Sequence, residues 1–88
     1  MKKIEFNENK NIISKRLRYF RKELGLTQTE LAARMQTYDI NIDQQMISRI
    51  ENNRRIVTDY ELACLCQVLR INENDMLRDF HLQFPNEP

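Results

Sequence analysis

Apolar residues recur along most of the chain at spacings of three and four, the period of an α-helix with one buried face. The first such run comprises Ile13, Leu17, Phe20 and Leu24. It follows Asn11, and Gly25 stands just past it, where a helix commonly ends on a left-handed residue. We therefore predict an amphipathic helix between Asn11 and Gly25, with its four apolar residues facing a core.

Signals for helix N-termini divide the rest of the chain into four further helices. Thr27–Glu30 and Thr58–Glu61 are capping boxes, in which the Thr hydroxyl and the Glu carboxylate each accept a hydrogen bond from a backbone N–H at the helix start. Asp43 suits the cap of a third helix, and Asn72 is a weaker signal for a short fifth one. The second helix should run over residues 28–36. The residues predicted to face the core in the second, fourth and fifth helices are Leu31, Ala32, Met35, Leu62, Leu65, Cys66, Leu69, Met76, Leu77 and Phe80.

The third predicted helix, which follows Asp43, has one apolar and one polar side. At about 100° per residue, the apolar side holds Met46, Ile47 and Ile50, and the polar side holds Gln45, Ser48, Arg49 and Asn52. Gln and Asn amides can donate to and accept from one adenine edge, and the Arg fork matches the O6/N7 pair of guanine. The polar side is thus suited to reading DNA bases, and Arg54 and Arg55 follow it in position to meet phosphates. A plain solvent-exposed helix surface is the alternative interpretation.

Length and composition favour one helical domain. The chain has 88 residues with one Gly and two Pro, which leaves little room for β-turns or a flexible linker. We predict an N-terminal arm over residues 1–10, a helical domain over residues 11–80 and a C-terminal tail over residues 81–88. The arm is either packed onto the domain through Ile4 or Phe6 or loose, and the sequence leaves both open.

Charge is unevenly distributed, although the formal net charge is only +1. Residues 1–22 contain eight Lys or Arg and two acids, whereas residues 56–88 contain two Arg and six acids. A domain polarised in this way can hold a polyanion on one face and meet a protein partner on another. Solubilising charges on an amphipathic helix are the simpler explanation, so the distribution only supports a nucleic-acid partner.

Several functional classes find no support in the sequence. The longest apolar run, Leu62–Cys66, is too short to cross a bilayer, so we expect no membrane partner. Cys64 and Cys66 point about 200° apart on one helix, which prevents a mutual disulfide or a metal half-site; we expect Cys66 packed and Cys64 nearer the surface. No paired inward acids, Cys/His dyad or glycine-rich loop suggests an enzyme, and we predict no cofactor, metal or small-molecule ligand.

Two short predicted helices, one opened by T-Q-T-E-L-A and one reading Q-Q-M-I-S-R-I-E-N-N-R, resemble the helix-turn-helix domain of the phage-repressor family, the Cro/C1 or XRE type. The resemblance covers about residues 12–77, through motifs at Leu24–Ala32, Ile47–Arg55 and Val57–Leu62. It implies an all-α, five-helix bundle of the lambda-repressor-like DNA-binding type, in which helices 2 and 3 form the helix-turn-helix. It also implies a cytoplasmic protein encoded by a bacterium or a phage.

In this family the second helix of the motif lies in the major groove and the first crosses the DNA backbone. The resemblance assigns base reading to Gln44, Gln45 and Arg49, with Ser48 and Asn52 beside them. It assigns backbone contacts to Gln28, Asn53 and Arg54. It also pairs Glu51 with Arg21 of the first helix, an ion pair that would hold the reading helix against the bundle. If both charges were simply exposed, the pair would contribute less than about 1 kcal/mol.

Two departures from the family pattern affect the reading helix. The connection Thr37–Ile42 is longer than the usual tight turn and lacks its Gly, and Asn53 replaces the usual Gly at the helix end. We expect the apolar residues Tyr38, Ile40 and Ile42 to pack beneath this connection. Contact of Tyr38 or Asn41 with DNA is the alternative.

The expected function is sequence-specific binding of double-stranded DNA by a transcriptional regulator, most simply a repressor. It would act as a homodimer on a palindromic operator, with each third helix in a major groove. The alternative is a protein-interaction module of the same fold, antitoxin-like or regulator-binding, with weak or no DNA affinity. Such a module would use the acidic half of the chain from Asp59 onward.

Overall fold

Six α-helices follow one another in the computed structural model of the chain, which describes residues 5–85. They are α1 (Ser14–Glu23), α2 (Gln28–Gln36), α3 (Gln44–Glu51), α4 (Asp59–Leu69), α5 (Glu73–Met76) and α6 (Arg78–Gln83). Helix α2 packs against α3 and α4, and α1 packs against α3. The all-α bundle predicted from the apolar period is confirmed, with α2 and α3 as the paired helices.

One apolar cluster lies between these helices. Its fully enclosed members come from every helix except α6 and from the connection before α3: Leu17, Leu31, Met35, Ile42, Ile47, Ile50, Leu65, Cys66 and Met76. In the part of the chain that the structure describes, no helix combines the length and the apolar character needed to cross a membrane.

Side-chain caps begin the helices where the sequence predicted them. Thr27 Oγ1 accepts from the Glu30 N–H at 3.0 Å, and Glu30 Oε1 accepts from the Thr27 N–H at 2.9 Å. Thr58–Glu61 repeats this arrangement at the start of α4. Asp43 Oδ1 accepts from the Met46 N–H at 2.8 Å at the start of α3. The predicted starts of α2, α3 and α4 are therefore confirmed.

Three helices end on a residue with a left-handed backbone. These residues are Gly25 after α1 (φ 71°), Asn53 after α3 (φ 59°) and Arg70 after α4 (φ 58°). After α1, the Leu26 N–H donates to the Arg21 carbonyl at 3.1 Å, which reverses the chain at Gly25. The reversal sends Leu26 into the core and leaves Leu24 41% exposed, so the predicted inward position of Leu24 is wrong.

The C-terminal part of the chain contains two short helices where one was predicted. The second of them, α6, extends through Gln83 into the segment expected to be a tail. No residue of α6 is buried. Instead Asp79 accepts two hydrogen bonds from Arg16 of α1, and Phe80 contacts the N-terminal arm. Because these partners lie far away in the sequence, the local pattern did not reveal the sixth helix.

The described part of the N-terminal arm is a tight hairpin packed onto the domain. Phe6 and Asn9 exchange two backbone hydrogen bonds of 2.8 Å, and Asn7 and Glu8 between them have positive φ. The Phe6 ring lies 5.8 Å from that of Phe80 and contacts Phe84 as well. Phe6 therefore packs the arm onto α6, whereas Ile4 lies outside the described residues.

Cys64 is only 7% exposed, so the expectation that it lies near the surface is wrong. Helix α4 carries six buried residues and is covered on more than one side, which a single-stripe pattern does not anticipate. Both cysteines are free thiols. Burial raises the pKa of Cys64, and it raises the pKa of Cys66 to about 11.

Opposite substitutions at two left-handed positions should change stability in opposite directions. Arg70→Gly should raise the free energy of unfolding by about 0.5 to 1 kcal/mol, because glycine adopts positive φ without the Cβ penalty. Gly25→Ala should lower it by about 1 kcal/mol, although an added Cβ at Gly25 would meet no atom within 4 Å. Urea unfolding measures both changes in the free energy of unfolding. Changes of the same sign for the two variants would contradict the role given to the left-handed backbone conformation.

Candidate nucleic-acid interface

Helix α3 is held to the bundle by its apolar side. Ile47 and Ile50 are fully enclosed, and Met46 is half-buried against the same cluster. This is the side that the sequence pattern predicted. The polar side of α3 must therefore face away from the core.

The last residue of α3 ties the helix to α1 and α2 through charge. The Glu51 side chain is 0% exposed. Its carboxylate accepts from Arg21 Nε at 2.6 Å and from Arg21 Nη2 at 2.9 Å. It also accepts from Gln28 Nε2 at 3.1 Å and from Arg18 Nε at 3.4 Å. A buried carboxylate with this many donors fixes the position of the α3 C-terminus relative to two other helices.

The Glu51 carboxylate stays ionised in this buried position. Burial alone would raise the pKa of Glu51, but the hydrogen bonds from Arg21, Gln28 and Arg18 outweigh burial and hold the pKa below its usual value. The hydrogen bonds to Glu51 raise the pKa of Arg21. Arg21 Nη1 also donates to the Leu26 carbonyl at 2.8 Å, so the guanidinium is engaged on both of its edges.

Gln45 and Arg49, two of the residues predicted to read bases, are exposed on the polar side of α3. Neither side chain hydrogen-bonds to another residue within the described range 5–85. Their amide and guanidinium groups are therefore available to a ligand. The long connection before α3 does not cover them.

Gln44 and Gln28 join the starts of the two paired helices. Gln44 Nε2 donates to Gln28 Oε1 at 2.7 Å, while the amide nitrogen of Gln28 bonds to Glu51. Gln28 therefore links the buried ion pair to the exposed beginning of α3. Both residues lie where α2 and α3 meet, beside Gln45.

Ser48 and Asn52 lie next to Arg49 but are partly engaged with the protein. Asn52 Nδ2 donates to the Ser48 carbonyl at 2.9 Å, and Asn52 Oδ1 accepts from Arg18 Nη2 at 3.3 Å. Ser48 is half-buried and Asn52 is exposed. The structure thus brings Gln44, Gln45, Ser48, Arg49 and Asn52 together on one surface.

The residues predicted to hold the DNA backbone have different environments. Arg54 is exposed beside the end of α3. Asn53 instead uses its side chain inside the protein, where it bonds to Asn9 and Lys10 of the arm and to Asn11 just after it.

Arg55 is directed away from the solvent by a second ion pair. Its two terminal nitrogens each donate to the Glu61 carboxylate at 2.9 Å, and its side chain is 22% exposed. Burial would raise the pKa of Glu61, but the Arg55 bonds and the Thr58 N–H lower it below its usual value. Arg55 thus fastens the α3–α4 connection, a role that the sequence analysis did not assign.

Arg18 and the carboxylate of Glu61 are the participants that sequence reasoning missed. Arg18 lies one turn before Arg21 on α1 and bonds to both Glu51 and Asn52, so helical spacing from Arg21 was the only available signal. Glu61 was assigned to a capping box alone. Across residues 5–85, no group of three or more His, Cys, Asp or Glu side chains is arranged to hold a metal ion.

The profile of the HTH_3 family, described as Helix-turn-helix, matches residues 17–75, well over half of the chain. The chain belongs to this helix-turn-helix family. It is of the Cro/C1 or XRE type, as the sequence resemblance implied, and family membership makes it a DNA-binding transcription regulator. Comparison with curated proteins gives no match.

Two solved structures are similar to this helix-turn-helix protein. The restriction-modification controller protein C.AhdI from Aeromonas hydrophila is 25% identical with a TM-score of 0.65, over 73% of this chain and 89% of that chain. The clp gene regulator ClgR from C. glutamicum is 24% identical with a TM-score of 0.70, over 89% of this chain and 95% of that chain, a likeness of fold alone. The predicted lambda-repressor-like fold is confirmed.

Loss of the Glu51 charge should destabilise the helix-turn-helix domain strongly. Glu51→Gln should lower the free energy of unfolding by about 3 kcal/mol or more, because the Arg21 guanidinium would stay buried without its counter-charge. Asp79→Asn is the matched control, since it breaks an Arg–carboxylate pair whose acid is half exposed and should cost less than about 1 kcal/mol. Equal losses in urea unfolding would contradict the central role of Glu51.

Stability should fall in acid through the same carboxylates. The folded-state pKa values of Glu51 and Glu61 are lower than ordinary values, so their contribution is complete above the unfolded-state pKa of about 4.3. It is lost as the pH falls through the lower folded-state values. The free energy of unfolding should therefore decrease below about pH 5, and the decrease should be shallower in Glu51→Gln. An identical pH profile in the variant would contradict this linkage.

Proposed function

We propose that the chain binds a specific double-stranded DNA operator by placing α3 in the major groove. Gln45 and Arg49 read base edges, with Gln44, Ser48 and Asn52 beside them. The chain acts by binding, without a catalytic activity of its own. The observation that carries this proposal is the exposure of the Gln45 and Arg49 side chains on a helix whose opposite side is fully buried.

Immobilisation of α3 supports readout of sequence. A base-reading group discriminates only if its donors and acceptors are held in register with the base edges. Ile47, Ile50 and Glu51 hold the helix from the side away from the proposed ligand, and Gln28 holds Gln44 at its start. Gln45 and Arg49 therefore extend from a support that need not reorganise on binding.

Contacts to the DNA backbone are assigned to Arg54 and Gln28. Arg54 is exposed next to the end of α3, where a duplex seated on the helix would bring a phosphate close. Gln28 occupies the first turn of α2, where the free N–H groups of the turn would meet a phosphate while its side-chain amide stays bonded to Glu51 and Gln44. Arg55 and Asn53 are left out of this assignment, because their side chains are used by Glu61 and by the arm.

The connection between the paired helices is proposed to act in packing rather than in DNA contact. Ile42 is buried and Ile40 is half-buried, and Gln36 Nε2 donates to the Ile42 carbonyl at 3.0 Å. Tyr38 is the exception, since it is exposed. Asp39 and Asp43 on the same connection would repel a phosphate.

We propose that the regulator is a repressor that binds as a symmetric dimer. C.AhdI is named a restriction-modification controller protein, which supports a regulatory role for this chain. Two copies related by a two-fold axis would read half-sites about one helical turn apart, and occupancy of such a site blocks transcription. The exposed side chains of Leu82 and Phe84 offer apolar surface to a second copy.

Selection of bound duplexes from a random DNA pool tests the proposed operator. We expect a recovered palindrome with two half-sites, and analytical ultracentrifugation with that duplex should give two chains per site. Recovery of a single unrepeated motif would contradict the dimer. Absence of salt-dependent binding to any duplex, with tight binding to a protein partner, would favour the interaction-module alternative.

Two arginines should differ in what their loss does to specificity. Arg49→Ala should cost about 1 to 3 kcal/mol on the recovered site and relax base preference, because it removes a fork aimed at a base edge. Arg54→Ala should weaken the recovered and scrambled duplexes by similar factors and flatten the salt dependence. Titration of both variants with the recovered and the scrambled duplex measures these losses of affinity. Equal losses on the two duplexes for Arg49→Ala would contradict base reading by Arg49.

A further inference from the structure

An open cleft of about 620 Å³ lies beside the C-terminal end of α3, between that helix, α1, α6 and the N-terminal arm. Ten of its fourteen lining residues lie outside residues 17–75, the range that the family profile matches. The side chains that matter for its chemistry are Asn7, Asn9, Lys15, Arg18, Asn52 and Asn53. All but the last two lie outside the predicted interface.

The arm wall of this cleft is fastened to the end of α3. Asn53 Oδ1 accepts from the N–H groups of Lys10 and Asn11 at 2.9 and 3.2 Å, and Asn53 Nδ2 donates to Asn9 Oδ1 at 2.6 Å. Asn11 Nδ2 in turn donates to the carbonyls of Ile50 and Arg55, each at 3.0 Å. The cleft therefore keeps a defined position relative to the reading helix.

Two cationic side chains of the cleft, Lys15 and Arg18, are exposed and lack a short bond to an acid among the described residues. Lys15 is exposed, and no carboxylate oxygen of a described residue lies within ion-pair distance of it. The Arg18 side chain is 46% exposed, and its bonds to Glu51 and Asn52 are long, at 3.4 and 3.3 Å.

The carboxylates that line the cleft are already neutralised by other arginines. Arg21 pairs with Glu51 at 2.6 Å, and Arg16 pairs with Asp79 at 2.8 Å. Each acid therefore has an arginine partner that is closer than Lys15 or Arg18. The cleft therefore carries a positive potential that is open to a ligand.

We infer that this cleft binds a phosphodiester group of the DNA backbone, next to the groove in which α3 lies. The inference rests on the proposed function and extends its contact surface to α1 and the arm. Lys15 and Arg18 donate to the phosphate oxygens. Continuity with Asn52 on the reading helix favours a backbone phosphate over a free anion. Such a contact sets the register of the duplex and carries no base preference.

Salt-dependent titration of Lys15→Gln tests the inference. Binding constants are measured over a KCl series on the duplex recovered by selection and on a scrambled duplex of equal length. Loss of one phosphate contact should reduce the slope of log K against log[KCl] by about 0.9, and should weaken binding about eightfold at 0.1 M KCl. The factor should be the same on both duplexes, unlike that of a base-reading residue.

Arg70→Gln is the charge-matched control, because Arg70 lies at the end of α4 and does not line the cleft. It should leave the slope unchanged. Arg18→Gln should repeat the effect of Lys15→Gln, and Arg18→Lys should retain the wild-type slope although it loses the guanidinium bonds to Glu51 and Asn52. A merely structural role of Arg18 would not be rescued by lysine.

The outcomes separate this inference from the proposed function. If wild-type protein binds the recovered duplex and Lys15→Gln and Arg18→Gln behave like Arg70→Gln, the cleft does not hold a phosphate and the inference fails alone. If wild-type protein binds neither duplex, both fail. Ethylation interference on the recovered duplex gives a second readout, since one backbone position sensitive in wild type should become insensitive in Lys15→Gln.

Discussion

The buried carboxylate of Glu51 is the interaction on which the arrangement of the helix-turn-helix depends. It lies at the end of α3 and receives donors from α1 and from the first residue of α2. Apolar packing alone holds a helix against a core but tolerates small rotations and shifts, because dispersion contacts have no preferred direction. Hydrogen bonds between charged groups are directional, so the Arg21 fork adds a constraint that packing does not supply.

The same carboxylate connects the buried part of the protein to its DNA-facing surface. Gln28 donates to Glu51 with one end of its amide and accepts from Gln44 with the other. At the C-terminal end of α3, opposite to Gln44, Arg18 donates to both Glu51 and its neighbour Asn52. Both ends of the reading helix are therefore linked to one buried charge, and the exposed pair Gln45 and Arg49 lies between them.

Features that depend on a few neighbouring residues could be predicted from the sequence. The capping boxes Thr27–Glu30 and Thr58–Glu61 and the Asp43 cap all form within four residues, so composition and spacing were sufficient. The two sides of α3 were also predicted correctly, because its apolar residues repeat with the helical period. The Arg21–Glu51 contact came from the family resemblance, since no local rule links residues thirty positions apart.

Features that depend on distant partners could not be predicted. Arg55 was predicted to contact phosphates, but its guanidinium pairs with Glu61 of the next helix. Asn53 was predicted to contact the DNA backbone, but its side-chain amide bonds to the arm. Helix α6 was not predicted, because none of its residues is buried and its sequence therefore shows no apolar face. In each case the residue's partner is brought close only by the tertiary structure, so it cannot be identified from neighbouring sequence.

Asn53 also has a consequence for the order in which the molecule assembles. The bonds from Asn53 to the arm close loops of 42 to 44 residues, whereas the helix caps close loops of only a few. Closing a long loop costs more chain entropy, and its partner does not exist until α3 has ended in the correct turn. The arm is therefore expected to be the last part to dock during folding and the first to open during unfolding, while the three helices joined by Glu51 remain assembled.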